Sequence, residues 1–84
     1  MRIDKFLKNS RVIKRRQVAK EACDGGRVSI NGRVAKPGAE VQPADIVEIR
    51  FGGELVRFEV LSVPEHVRKE DADSMYRLLE GGEG

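Results

Sequence analysis

Tryptophan is missing from this 84-residue chain, cysteine and histidine occur once each, and aromatics make up 5% of it. Each scarcity removes a class of function. With Cys23 alone there is no internal disulfide and no multi-cysteine zinc site, which suits a reducing compartment and leaves Cys23 as a small buried helix residue. His66 lies in a polar connector, where a surface position is expected and catalysis has little to build on. The aromatics Phe6, Phe51, Phe58 and Tyr76 mostly fall on apolar stripes expected in the core, which leaves no stacking platform for reading single-stranded bases. No apolar run approaches the roughly twenty residues of a membrane span, and the basic start leads into an amphipathic stretch rather than a signal peptide. A soluble, cytoplasmic protein with no membrane partner is expected.

Catalytic and metal chemistry are also poorly supplied. A chain this short makes one compact domain with little room for a cleft and its supporting shell. No strand, glycine-rich turn and helix combine with a phosphate-loop lysine. The acids Glu65, Glu70, Asp71 and Asp73 lack the spacing of a metal-binding loop, and an acidic helix start accounts for Asp71 and Asp73. The expectation is a protein without enzymatic activity, cofactor or metal.

What the chain does have is segregated charge. Among residues 1–20, Arg2, Lys5, Lys8, Arg11, Lys14, Arg15, Arg16 and Lys20 face the single acid Asp4, while the whole chain carries a net charge of only +2. A total of that size barely attracts a polyanion, but a dense block on one side of a small domain sets up a field that steers and holds phosphates. Nucleic acid is the implied partner.

Apolar spacing assigns the elements. Ile3, Phe6 and Leu7 make one stripe of a short helix over residues 2–9, with Lys5, Lys8 and Asn9 opposite and Arg2 at the margin. A second helix is expected from Lys14 to Asp24, with Val18, Ala19, Ala22 and Cys23 as its apolar side and Gly25-Gly26 as its stop. The period then changes to two. Val28 and Ile30, the Asn31-Gly32 turn and Val34 form a hairpin. Lys36-Pro37-Gly38 and Pro43-Ala44-Asp45 are turns around Val41. Val47, Ile49 and Phe51 share one strand face, Gly52-Gly53 reverses the chain, and Val56, Phe58 and Val60 share the next. Pro64 ends that strand, and a last helix over 71–79 presents Met75, Leu78 and Leu79 before a frayed tail from Gly81. The fold class is α+β: two short N-terminal helices packed on a small curled, mostly antiparallel sheet, plus a short C-terminal helix. Residues 1–63 read as the binding domain and residues 64–84 as an acidic extension.

Lys14, Arg15 and Arg16 fall in the expected first turn of the second helix, where the dipole disfavours cations by roughly a few tenths of a kcal/mol each. An anion resolves that conflict, since exposed N–H groups, dipole and side chains then act together. These residues read as a phosphate clamp in which Arg15 and Arg16, with planar bidentate donors, outweigh Lys14. A solvated helix face normally mixes signs, and this one hardly does. Asp4 favours its own helix dipole and is placed to orient a neighbouring arginine. Folded RNA read by shape and backbone fits better than DNA, because a helix-turn-helix reader places base-reading polar side chains on a longer second helix.

These residues resemble the RNA-binding domain named after small-subunit ribosomal protein S4. Arg2-Ile3-Asp4-Lys5-Phe6-Leu7 is similar to its opening Arg-Leu-Asp-x-x-Leu, and Arg15-Arg16-Gln17-Val18-Ala19 stands at its Ser-Arg-x-x-Ala. Gly26-Arg27-Val28-Ser29-Ile30-Asn31-Gly32 resembles its Gly-x-Val-x-Val-Asn-Gly. Lys36-Pro37 and Ala44-Asp45-Ile46-Val47 resemble its Lys-Pro and Gly-Asp-x-Ile, with Ala44 in place of a glycine. The resemblance covers about residues 1–51 and implies that Arg2 and Arg16 lead the RNA contacts, with the other six cations around them. Among stand-alone members it points to the bacterial ribosome-associated quality-control factors, and more distantly to the fifteen-kilodalton heat shock proteins. It then implies a monomer that binds an obstructed large ribosomal subunit, contacts 23S rRNA and peptidyl-tRNA, and supports alanine tailing of stalled chains with the partner RqcH. An accessory subunit of a separately encoded RNA-modifying enzyme and a DNA-binding module are the alternatives.

Overall fold

The two-residue period that begins at Val28 builds most of this molecule. The computed structural model describes residues 1–81, in the order α1 (Ile3–Asn9), α2 (Arg16–Asp24), β1 (Val28–Ile30), β2 (Arg33–Val34), β3 (Ile46–Phe51), β4 (Glu54–Val60), a 3-10 helix (Lys69–Met75) and β5 (Tyr76–Glu80). The strands form one sheet in the order β2-β1-β3-β4-β5, every pairing antiparallel. α1 and α2 pack together on one face of it, and their Ile3, Phe6, Leu7, Ala19, Ala22 and Cys23 share a buried cluster with Val28, Val47, Ile49, Phe58 and Val60. Phe6 stacks on Phe58 with ring centroids 6.0 Å apart, and Phe58 meets Tyr76 edge-on at 5.3 Å. Three of the four aromatics are thus spent on packing, and only Phe51, at the β3 end, is exposed.

Helix ends follow local chemistry. Behind α2, Gly26 takes φ +76°, and the N–H groups of Gly26 and Arg27 return to the carbonyls of Cys23 and Ala22. That pair of bonds is the Schellman closure that a glycine without a Cβ permits. In the β1–β2 hairpin Asn31 (φ 52°) and Gly32 (φ 85°) supply the expected left-handed pair. Asn31 also ties down the loop before β3: its Oδ1 accepts from the Ile46 N–H at 2.9 Å, and its Nδ2 donates to Asp45 at 3.1 Å.

Three expectations need correcting. α2 begins at Arg16, with Arg15 extended at its N-cap and Lys14 in the preceding turn, because the chain bends between the helices to bury Ile13. Val18 is 43% exposed and joins the outer face of α2 rather than its apolar side. The short C-terminal helix is present, but as the 3-10 helix Lys69–Met75 rather than over 71–79, and the chain from Tyr76 forms β5. The spacing of Met75, Leu78 and Leu79 suits a helix, but Tyr76 and Arg77 complete β4 instead, opposite Val60 and Glu59. Pairing covers the open β4 edge and seats the Tyr76 ring, which an α-helix here would forgo. Met75 is buried as expected, whereas Leu78 and Leu79 stay exposed. The tail from Gly82 onward lies outside the described residues.

Candidate nucleic-acid interface

Asp4 organises the basic face. Its carboxylate is 2% exposed, and it sits where the backbone N–H groups of Ile3 and Asp4 are already taken by the carbonyls of Ala39 and Pro37. That bond pattern, with the Arg2–Glu40 bridge, shows what the Lys36-Pro37 turn does: it folds back over the start of α1 and seals it. The Asp4 carboxylate then accepts from two arginines, Arg2 Nη2 on Oδ2 at 3.2 Å and Arg16 Nη2 on Oδ1 at 3.5 Å. Both guanidinium side chains remain about half exposed, at 49% and 48%. One edge of each fork is held and the rest faces solvent, so two planar donors, from the N-cap of α1 and the first residue of α2, are set side by side with a reduced ordering cost at the moment of binding.

The remaining cations divide by position. Lys20 stands one helical turn beyond Arg16 on α2, exposed. Arg15 occupies the α2 N-cap, with no side-chain cap on that helix end and no acid in its first turn. The three-cation first turn is therefore a cation run leading into the helix, and Arg16 alone of the three lies within it. The dipole and the uncapped N–H groups still favour an anion there. Lys5 is engaged elsewhere, donating to Glu65 at 3.3 Å. Lys8, Arg11 and Lys14 gather around a cavity of about 240 Å³ whose other wall is Val67, Arg68 and Lys69.

Sequence reasoning missed two members of this surface. Arg68 and Lys69 belong to a segment read as acidic, and the signal was their adjacency, two cations in a row just before Glu70 and Asp71. It also understated Asp4, whose burial between two arginines makes it the residue that positions them. Cys23 lies beneath the face, fully buried; burial first, then the nearby charges of Asp4 and Asp24, push its thiol up to about 11. His66 and the acids Glu65, Glu70, Asp71 and Asp73 are exposed, and no group of three His, Cys, Asp or Glu side chains among the described residues is placed to share a metal ion. No helix among those residues is long and apolar enough to cross a membrane.

The RQC P-site tRNA stabilizing factor of Halalkalibacterium halodurans is 54% identical over 78 residues, covering 93% of this chain and 89% of that protein. The protein of the same name from Bacillus subtilis is 51% identical over 79 residues, covering 94% and 92%. The trimeric structure of Vibrio cholerae Heat Shock Protein 15 superposes with a TM-score of 0.85 at 29% identity, covering 94% of this chain and 81% of that one. The S4 domain model matches residues 1–47, the segment that holds both helices, Asp4 and its two arginines, and the chain belongs to the S4 domain family.

Proposed function

We propose that this protein is a non-catalytic RNA-binding factor of ribosome quality control, which holds peptidyl-tRNA in the P site of an obstructed large ribosomal subunit. The observation that carries the reading is the pair of guanidinium groups, Arg2 and Arg16, set on one buried carboxylate with about half of each side chain exposed. The names of the relatives supply the biological setting, a tRNA in the P site. Lys5, Lys8, Arg11, Lys14, Arg15 and Lys20 surround the pair as further phosphate contacts. A small body with cations on two helices touches two backbones at once, here tRNA on one side and 23S rRNA on the other. By occupying the tRNA between cycles it supports alanine tailing by RqcH in the cytoplasm, acting as a monomer. Residues 1–63 form the RNA-binding unit, and residues 64–84 extend it.

The test is co-sedimentation with large subunits that carry peptidyl-tRNA, compared with empty subunits and with duplex DNA. Preferential recovery on the loaded subunits is expected. Equal recovery on DNA would overturn the reading, and a stable complex with a modifying enzyme on free RNA would replace it with the accessory-subunit alternative. If about five to eight cations meet phosphates, log K falls against log salt with a slope of about −4 to −7, and a slope shallower than about −2 contradicts the clamp.

A further inference from the structure

The cavity between the end of α1 and the start of the 3-10 helix is lined by Lys8, Asn9, Arg11, Lys14, Arg68 and Lys69, with Val67 as its one apolar wall. Five of these side chains are cations, and no carboxylate lines the space. None of the five takes part in an ion pair among the described residues, although Arg2, Lys5, Arg16, Arg57 and Arg77 all do. Like charges facing one another across a hollow repel, so the arrangement opposes folding unless an anion enters.

Two further features point the same way. Arg11 holds φ +63° as the chain leaves α1, with its N–H returned to the Lys8 carbonyl at 3.0 Å. That left-handed conformation is one a glycine adopts freely and a long side chain only at a cost. An arginine there gives up local stability while lining the cavity. The opposite wall arrives from more than fifty residues away and is pinned: Glu65 accepts from Lys5 at 3.3 Å, and Val63 and Val67 pack against the core. Arg68 and Lys69 are thus delivered to α1 by a tethered connector.

We propose that this cavity is a second anion site, outside the Arg2–Asp4–Arg16 cluster, which seats a backbone phosphate of the bound RNA, with Arg68 and Lys69 closing over it from the C-terminal segment. The space is smaller than the roughly 300–1,000 Å³ of a drug-sized ligand pocket and suits one phosphate with its ribose. Val67 offers an apolar contact to the sugar, and Asn9 supplies both a donor and an acceptor for a 2′-hydroxyl, the group that separates RNA from DNA. The site rests on the RNA-binding reading above and extends it beyond the matched residues 1–47.

The experiment compares Arg68→Ala/Lys69→Ala with Arg16→Ala in binding to large subunits across a salt series, each with its thermal midpoint. The double variant is expected to weaken binding about tenfold or more and to flatten the salt slope by about two, with a thermal midpoint no lower than the parent's, because two of the facing like charges are removed. Arg68→Lys is expected to keep the slope. Lys69→Gln alone should flatten it by about one and covers the case in which the double variant unfolds. If Arg16→Ala loses binding while the double variant and Lys69→Gln keep wild-type slope, the cavity is not a phosphate site and the clamp stands alone. If none of the variants changes binding, the RNA-binding reading itself fails. A competition arm identifies the source of the phosphate. Displacement by RNA oligonucleotides but not by millimolar inorganic phosphate or adenosine monophosphate supports a backbone phosphate. Saturable binding of the mononucleotide alone, lost in the double variant, would make it a free-nucleotide site and overturn the assignment.

Discussion

The two outer surfaces of this molecule use arginine in opposite ways. On the solvent face of the sheet every ion pair closes on itself: Arg57 lies between Glu48 at 3.7 Å and Glu80 at 2.9 Å, and Arg77 donates to Glu59 at 2.6 Å. These pairs stand opposite one another across neighbouring strands, Glu48 with Arg57, Glu59 with Arg77. Cross-strand opposites of this kind help fix the register and leave no net field. On the helical face one buried carboxylate serves two arginines, and the other cations there, Lys5 apart, have no acid at all among the described residues. Arg57 and Arg77 are thus matched within the sheet, whereas Arg2 and Arg16 share one carboxylate and keep about half of each side chain exposed.

The largest expected break in that contrast is at the two carboxylates. Asp4→Ala removes a buried acceptor of two charge-assisted bonds and is expected to cost about 2–4 kcal/mol of stability by chemical denaturation. It should weaken RNA binding too, since Arg2 and Arg16 lose their anchor. Glu59→Ala, which removes the partner of a half-exposed pair, is expected to cost no more than about 1 kcal/mol and to leave RNA affinity unchanged. Equal stability losses would mean that Asp4 is not an organising residue.

Next come the cations themselves. Arg16→Ala is expected to weaken RNA binding by about 1–3 kcal/mol in a direct titration, with little change in thermal midpoint. Arg57→Ala and Arg77→Ala should keep affinity within about twofold, because each is already neutralised by its own glutamates. Loss of RNA binding in Arg77→Ala would place RNA on the sheet face and dissolve the distinction.

Much of this was legible in the sequence, and the failures have physical causes. Periodicity located both helices and the four strands from Val28 to Val60, because each buries one face and the turn residues Asn31-Gly32 and Gly52-Gly53 leave few alternatives. The basic block was legible as composition, since eight cations and one acid fall within residues 1–20. The end of the chain misled because Met75, Leu78 and Leu79 fit the helical period equally well, and only the open edge of β4 decides between the two. Asp4 as a shared acceptor was half visible: an acid among cations suggests a partner, but that Arg2 and Arg16 converge on it depends on how α1 and α2 pack. The placement of Arg68 and Lys69 beside Lys8, Arg11 and Lys14 was hidden by a long sequence separation and by the acids that follow them.

A smaller effect separates strain kept for function from strain that is incidental. Arg11 and Ala44 both hold positive φ, at 63° and 81°. Ala44 stands in the turn where the family pattern has glycine, its N–H donating to the Val60 carbonyl at 2.8 Å. Ala44→Gly is expected to raise stability by roughly 0.5–1 kcal/mol and leave RNA affinity alone. Arg11→Gly should raise stability by a similar amount and weaken RNA binding. If both glycine variants bind RNA like the parent, the strain at Arg11 has no role in recognition.

The smallest effect at neutral pH lies beneath the basic face, at Cys23. A thiol near many cations would be expected to ionise early, as thiolates do beside lysine and arginine. Here the shift runs the other way, to about 11 from 9.0, with burial the largest cause and Asp4 and Asp24 adding to it. Burial and the two carboxylates outweigh the cations of the basic face at this side chain. Because the folded protein holds the proton more tightly than the unfolded chain, the stabilisation is complete below pH 9 and is lost as pH rises from about 9 towards 11. Cys23→Ala should remove that part of the alkaline decline in the thermal midpoint. In the parent, alkylation of Cys23 should stay slow through pH 8 and accelerate with unfolding. Rapid labelling of the folded protein at pH 7 would show instead that the basic face acts inward as well as outward.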